Sequence, residues 1–165
     1  MTTEDIWYRM QRRVPPVVSE YFRGGADAEI TLHANVRACQ QSFVNAEGAT
    51  HFEAVDTSTT VLDHRIQLPW YITPVGSLRT LYPKAEAVAA KVAGQFGTVM
   101  GLSTLSGTPM EEVAQASSNS CWFQLYLCGG RETALRGIAR AKKAGFTALV
   151  LTIDTSVSGQ RLVHA

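Results

Sequence analysis

Residues 121–154 read CWFQLYLCGGRETALRGIARAKKAGFTALVLTID. A short apolar run rich in aromatics, a glycine pair, a helix-period segment closed by Gly145 and a second apolar run follow one another, which is the order of one strand–helix–strand unit. In the helical segment Leu135, Ile138, Ala139, Ala141 and Ala144 are assigned to one face, and Gly145 has the position of a C-cap glycine. The same alternation extends upstream. Apolar runs at QLPWYITPV, GTVMGLST, CWFQLYL and TALVLTIDT have centres near Tyr71, Val99, Phe123 and Val150, spaced 28, 24 and 27 residues apart. YPKAEAVAAKVAGQFG and TPMEEVAQAS lie between the first three. In the latter, Thr108 is expected as N-cap, Pro109 as the first helical residue and Glu111 as the capping-box partner. Successive βα units predict parallel strands joined by right-handed crossovers, either a doubly wound sheet or part of a β/α barrel. A full eight-unit barrel takes about 250 residues, so a barrel reading makes this the first half of one.

Upstream of residue 67 the pattern is weaker. Residues 4–22 predict helix interrupted at Pro15-Pro16, Gly24-Gly25 predicts a turn, ADAEITLHANVRACQQSF a further helix and AVDTSTTVL a short extended piece. The expected organisation is a single domain over 1–165, with an N-terminal helical lead-in over 1–66 and four βα units over 67–165. The chain has 165 residues, 15 Lys+Arg against 14 Asp+Glu, a formal net charge of +1 and 45% hydrophobic residues, which is the composition of one globular domain. Near-neutral charge without a run of like charges argues against nucleic acid or an anionic membrane as partner. No signal-like or membrane-spanning run is seen, so a reducing, cytoplasmic location is expected. Cys39, Cys121 and Cys128 have no metal spacing and are expected as buried thiols, with no metal implied. The histidines, His33, His51, His64 and His164, are expected to be exposed.

In parallel β/α folds ligands sit at the C-terminal ends of the strands. Gln124 and Tyr126 share one face of their run, opposite Phe123, Leu125 and Leu127, and Thr152 and Asp154 share one face of theirs. Ser103 and Thr104 end the second run, and Thr73-Pro74-Val75-Gly76 ends the first. The pattern fits a ligand-binding rim and a structural hydrogen-bond network equally well. No dinucleotide fingerprint, phosphate loop, nucleophile elbow or zinc helix occurs.

Taken together, YFRGGADAE from Tyr21, Pro74-Val-Gly, Leu102-Ser-Thr, PMEEVA from Pro109, WFQLY from Trp122, AGFTALVLTIDT from Ala144 and Gly159-Gln-Arg closely resemble the FMN-dependent α-hydroxy-acid dehydrogenase and oxidase family. The resemblance runs in order from about Val14 to Arg161. It implies a (β/α)8 TIM-type barrel with FMN at its C-terminal rim and oxidation of a small 2-hydroxy acid to the 2-oxo acid. By the resemblance, Pro74, Val75 and Gly76 lie against the flavin ring, and Ser103, Gln124 and Thr152 hydrogen-bond its polar edge and ribityl region. Tyr21 binds the substrate carboxylate, Tyr126 lies near the substrate hydroxyl, Arg161 lies beside the substrate, and Asp154 orients the catalytic histidine. The chain departs from the family at Leu105, where relatives often carry an aromatic, around Asn45–Val55, which lacks an arginine-proline pattern, and at Ser156, where a proline is common. The family's flavin-contacting lysine, histidine base, carboxylate-clamping arginine and phosphate site fall in a second half that this sequence does not include, and His164 matches no base position. The alternative is a non-catalytic barrel fragment, or a subunit that needs a partner half.

A half-barrel leaves its first and last strands as open parallel edges, which recruit other chains. The expected partner is therefore a second copy or a chain supplying the missing half. Size-exclusion chromatography with light scattering should show association. A well-behaved monomer would favour a closed-off, doubly wound sheet.

Overall fold

A computed structural model describes residues 1–45, 48–49, 51, 53–155, 157 and 159–161; Ser156 and His164 lie outside the described residues. The chain divides into two compact units, Met1–Val55 with Ser156–Ala165, and Asp56–Thr155.

The first unit holds three helices, α1 (Thr3–Gln11), α2 (Pro16–Arg23) and α3 (Ile30–Gln40). A capping box closes the start of α1: Asp5 N–H donates to Thr2 Oγ1 at 3.2 Å and Thr2 N–H to Asp5 Oδ2 at 2.7 Å. Pro16 opens α2, where its missing N–H costs nothing. Among the described residues of this unit only Ser19 is buried.

The second unit starts with an antiparallel hairpin, β1 (Thr59–Val61) and β2 (His64–Ile66), joined by Leu62 and Asp63, both at positive φ (49° and 62°). This is a two-residue primed turn. Of the extended piece expected over 54–62, residues 59–61 are one arm of a hairpin whose second arm the sequence does not signal, because Leu-Asp carries no glycine or asparagine.

Beyond it stand a short 3-10 turn (Leu78–Thr80), α4 (Ala85–Gln95), β3 (Met100–Leu102), α5 (Met110–Ala116), β4 (Cys121–Leu125), α6 (Gly130–Ala144) and β5 (Ala148–Leu151). The strands form a parallel sheet in the order β3-β4-β5. The expected first strand, QLPWYITPV, is reduced to one parallel bridge between Ile72 and Met100, with Ile72 N–H donating to Val99 O at 2.9 Å and Gly101 N–H to Ile72 O at 2.8 Å. Pro69 and Pro74 flank it and can donate no ladder hydrogen bond, so apolar content alone does not make a strand there.

Alternation along β4 splits the core in two. Phe123 and Leu125 pack with Ala90, Ala93, Val113 and Ala134 beneath the helices. Trp122, on the other face, packs with Val99 and with Ile66 of the hairpin. Buried Ala90 and Ala93 of α4 share the core with Val113 of α5, and a Cβ at Gly94 would stand 2.7 Å from Ser118 N just beyond α5. On α6 the buried stripe runs through Ala134 and Ala141 with Ile138 packed against the core, while Leu135 and Ala139 are exposed, about one residue's rotation from the expected face. Gly145 ends α6 at φ 94°, as its position predicts.

The start of α5 differs from expectation. Pro109 is the cap residue, no side chain caps it, and no capping box forms. The Thr108 hydroxyl instead donates to Glu86 Oε2 at 2.7 Å, and Gly107 N–H donates to Glu86 Oε1 at 3.1 Å. Glu86 is fully buried on α4. Burial pushes its carboxyl up, but the Thr108 hydroxyl and backbone hydrogen bonds at Glu86, Gly107 and Arg79 hold it below its ordinary range. Glu111, free of any capping role, receives Arg140 in a two-pronged pair at 2.7 Å and 2.7 Å, and the guanidinium lowers its pKa to about 2.

Two outcomes follow from this packing. A Cβ at Gly101 would stand 2.8 Å from Pro74 Cγ, so Gly101→Ala should destabilise by about 1 to 3 kcal/mol through overpacking, read as a lowered Tm. Both carboxyls have folded pKa values below the ordinary 4.5. The stability they add is complete above that value and is lost as pH falls through their folded values. The drop in Tm between about pH 6 and about pH 3 should shrink in Glu86→Gln and in Arg140→Met.

Candidate functional site

The C-terminal ends of the sheet carry a continuous polar network. The side chain of Gln124 is buried near the end of the central strand. Its Oε1 accepts Thr104 N–H at 3.1 Å, and its Nε2 donates to Thr152 Oγ1 at 2.8 Å. Gln124 thus ties together the residues that follow β3 and β5. Thr104 Oγ1 donates to Gln124 O at 2.6 Å and accepts Tyr126 N–H at 3.1 Å. Thr152 N–H donates to Leu125 O at 3.1 Å, which extends the ladder past β5.

Pro74, Val75 and Gly76 lie alongside this rim. Pro74 packs on Gly101, and a Cβ at Gly76 would lie 3.1 Å from Leu105 Cβ and 3.7 Å from Ser103 Oγ. Ser77 N–H donates to Leu105 O at 3.0 Å and Leu105 N–H to Ser103 Oγ at 3.0 Å. The segment after β3 is held further by Ser106 N–H to Ser103 O at 3.1 Å and by Arg79 Nη1 to Gly107 O at 3.0 Å. Ser103 is buried, while Val75 keeps about a third of its surface exposed (37%). Tyr126 is half-buried, and Asp154 is exposed, accepting from Thr155 Oγ1 at 3.4 Å.

On the helix side of the sheet lies a cavity of about 490 Å3, lined among others by Leu102, Met110, Phe123, Leu125, Tyr126 and Ala134. Its floor is the same apolar face that packs under α5 and α6.

Tyr21 and Arg161 belong to the first unit and meet there. The Arg161 guanidinium stands 4.6 Å from the centre of the Tyr21 ring and donates to Tyr21 O at 2.6 Å and to Gly24 O. The structure thus brings Ser103, Gln124, Thr152 and the 74–76 segment into one rim, and separately pairs Tyr21 with Arg161.

Sequence reasoning gives Thr104 no role beyond ending the second run and misses Glu86, which sits in an alanine-rich helix whose local pattern gives no hint of a partner in the next loop. It also erred on the thiols: Cys121 is buried, but Cys39 and Cys128 are exposed, and all are free. Of the histidines, His33 and His51 are exposed and His64 is half-buried. Among the described residues no group of three or more His, Cys, Asp or Glu side chains is arranged to hold a metal ion, and no helix is long and apolar enough to cross a membrane.

Residues 10–164 match the family described as FMN-dependent dehydrogenase. L-lactate dehydrogenase of Pseudomonas aeruginosa is 36% identical over 151 residues, covering 92% of this chain and 40% of that protein. The Acinetobacter baumannii L-lactate dehydrogenase is also 36% identical, with 39% of its length covered. A soluble mutant of the membrane-associated (S)-mandelate dehydrogenase from Pseudomonas putida superposes with a TM-score of 0.88 at 33% identity, covering 96% of this chain and 45% of that one. A mandelate oxidase superposes with a TM-score of 0.90 at 30% identity, covering 96% and 48%. The chain spans less than half the length of each of these relatives. The parallel layering and these superpositions define the fold as a partial α/β barrel. By a match that runs through nearly its whole length, the chain belongs to the FMN-dependent dehydrogenase family.

Proposed function

We propose that residues 1–165 form one domain contributing the flavin-facing rim of an FMN-dependent enzyme that oxidises a small 2-hydroxy acid to the 2-oxo acid. The observation that carries this reading is the rim joining Ser103, Gln124 and Thr152 beside Gly76. Its donors suit a flat heteroaromatic ring with a polar edge. The Ser103 and Thr152 oxygens already accept from Leu105 N–H and Gln124 Nε2, so their hydroxyl hydrogens are free to point at a ligand. Gly76, whose missing Cβ makes room for Leu105, holds its segment close against the residues that follow β3. When bound, FMN supplies a two-electron acceptor.

Around it, Pro74, Val75 and Gly76 back the ring, and Tyr126 presents its phenol toward the substrate hydroxyl. Asp154 supplies the carboxylate that orients and charges a histidine base contributed from elsewhere in a complete barrel. Tyr21 binds the substrate carboxylate, and Arg161 lies beside the substrate. The relatives are named for lactate and mandelate, which supports a small 2-hydroxy acid. Three free cysteines support a reducing, cytoplasmic setting. The partner is a second copy or a chain carrying the remaining barrel units.

A second reading has its own support. Gln124 already spends one acceptor site and one hydrogen inside the protein, as a purely structural network would.

Titration of the chain with FMN, alone and with a chain carrying the remaining units, separates the two. Binding should be weak alone and tighten with the complement. Gln124→Leu should weaken it by about 1 to 3 kcal/mol, measured by flavin fluorescence. Asp154→Asn should spare flavin binding and lower turnover of the complemented enzyme, and Tyr21→Phe should mainly raise the substrate KM. Absence of flavin binding with and without the complement, or three variants that only lower Tm together, would leave the structural network as the reading.

A further inference from the structure

β3 ends at Leu102, whereas its neighbour β4 runs on to Leu125. In a parallel ladder the edge groups Gln124 C=O and Tyr126 N–H need partners from the neighbouring backbone. Here one side chain takes the place of that backbone. Thr104 Oγ1 donates to Gln124 O at 2.6 Å and accepts Tyr126 N–H at 3.1 Å. From the same residue, the main-chain N–H donates to Gln124 Oε1 at 3.1 Å.

These bonds decide which way round the Gln124 carboxamide stands. A backbone N–H can only donate, so the oxygen must face Thr104; a flipped amide would set two donors against each other. Nε2 then faces the opposite side of β4 and reaches Thr152 Oγ1 at 2.8 Å. With its flanks taken by partners on opposite sides, the carboxamide keeps one acceptor site and one hydrogen, next to each other. That pair complements a ligand edge carrying an adjacent donor and acceptor, as in a cyclic imide.

We propose that Thr104 is a positioning residue: its amide and hydroxyl fix the orientation of the Gln124 carboxamide and the backbone of Tyr126, and so the hydrogen-bonding pattern that the rim offers to the flavin. The inference rests on the reading of this rim as the flavin face. In this role Thr104 acts through its two neighbours, Gln124 and Tyr126.

The test uses the 165-residue chain and two variants, Thr104→Val, which keeps the shape without the hydroxyl, and Thr104→Ser, which keeps the hydroxyl. The first readout needs no flavin: the side-chain amide resonances of Gln124 in nitrogen–proton correlation spectra, assigned by their loss in Gln124→Leu. The unsubstituted chain and Thr104→Ser should show two separate, exchange-protected protons; in Thr104→Val the lost hydroxyl bonds no longer hold residue 104 against β4, so its N–H should leave Gln124 Oε1 and these protons should move toward the values of solvent-exposed glutamines. The second readout is FMN titration, in which Thr104→Val should weaken binding about tenfold, the effect of one lost neutral hydrogen-bonded group, with Thr104→Ser close to the unsubstituted chain.

Unchanged Gln124 resonances in Thr104→Val overturn the proposal whatever the flavin does, as does equal loss of FMN binding in Thr104→Ser. If the resonances move but no variant, nor the unsubstituted chain, binds FMN with or without a chain carrying the remaining units, the positioning role stands and the flavin reading fails. Should Thr104→Val not fold, the unsubstituted chain and Thr104→Ser decide: exposed-type, freely exchanging Gln124 protons in either overturn the proposal, and protected ones in both uphold it.

Discussion

Burying a carboxamide in the central strand of a parallel sheet is the constraint around which the rim is built. Gln124 is almost inaccessible to solvent, and an unmade hydrogen bond there costs about 1 to 3 kcal/mol per group. The protein meets that demand from both sides, through Thr104 after β3 and Thr152 after β5. One consequence is that the ends of three strands hold a common register, although the ladders themselves are only three to five residues long. A second consequence is chemical, because a carboxamide satisfied on its flanks can only be read by a ligand from the front.

The segments that flank the rim are fixed by close contact. Gly101 lets the Pro74 ring lie on the sheet, Gly76 lets Leu105 approach, and a Cβ at Gly107 would stand 2.6 Å from Arg79 Cβ. Glu86 completes the arrangement from below by gathering donors from the loop after β3. A buried carboxylate without a cation is costly, and here hydrogen bonds to Thr108 and to backbone amides compensate it instead. Between α5 and α6 the opposite solution appears, an exposed two-pronged pair of Glu111 and Arg140. Glu86, on α4, and Glu111, near the start of α5, bind the same loop–helix segment to α4 on one side and to α6 on the other.

Much of this was legible in the sequence wherever burial on two faces writes a period into the residues. The alternation in CWFQLYL placed Gln124 opposite Phe123 and Leu125, and Gly145 marked the end of α6. Legibility failed where the deciding partner is distant in the chain or absent from the side-chain pattern. QLPWYITPV is apolar enough for a strand, but its prolines withhold ladder donors. The Leu62-Asp63 turn shows itself only through positive φ. The expected cap at Thr108 was reassigned by Glu86, 22 residues upstream. Thr104 was invisible as an organiser because its role depends on β3 stopping two residues before it. Tyr21 and Arg161 were identified through family resemblance alone, and their mutual stacking is a contact across the length of the chain that no local period encodes.

The loop from Ser103 to Thr108 has no regular secondary structure, yet the N–H of each residue from Thr104 to Thr108 has an acceptor: Gln124 Oε1, Ser103 Oγ, Ser103 O, Glu86 Oε1 and Ser106 Oγ in turn. Surface loops ordinarily absorb insertions and deletions because their backbone answers to water. This one answers to the protein at every step, so gaining or losing a single residue would misalign a whole series of donors at once. Its length is under the same restraint as the spacing of a core strand, and variation within it is confined to exchanging side chains at exposed positions such as Leu105.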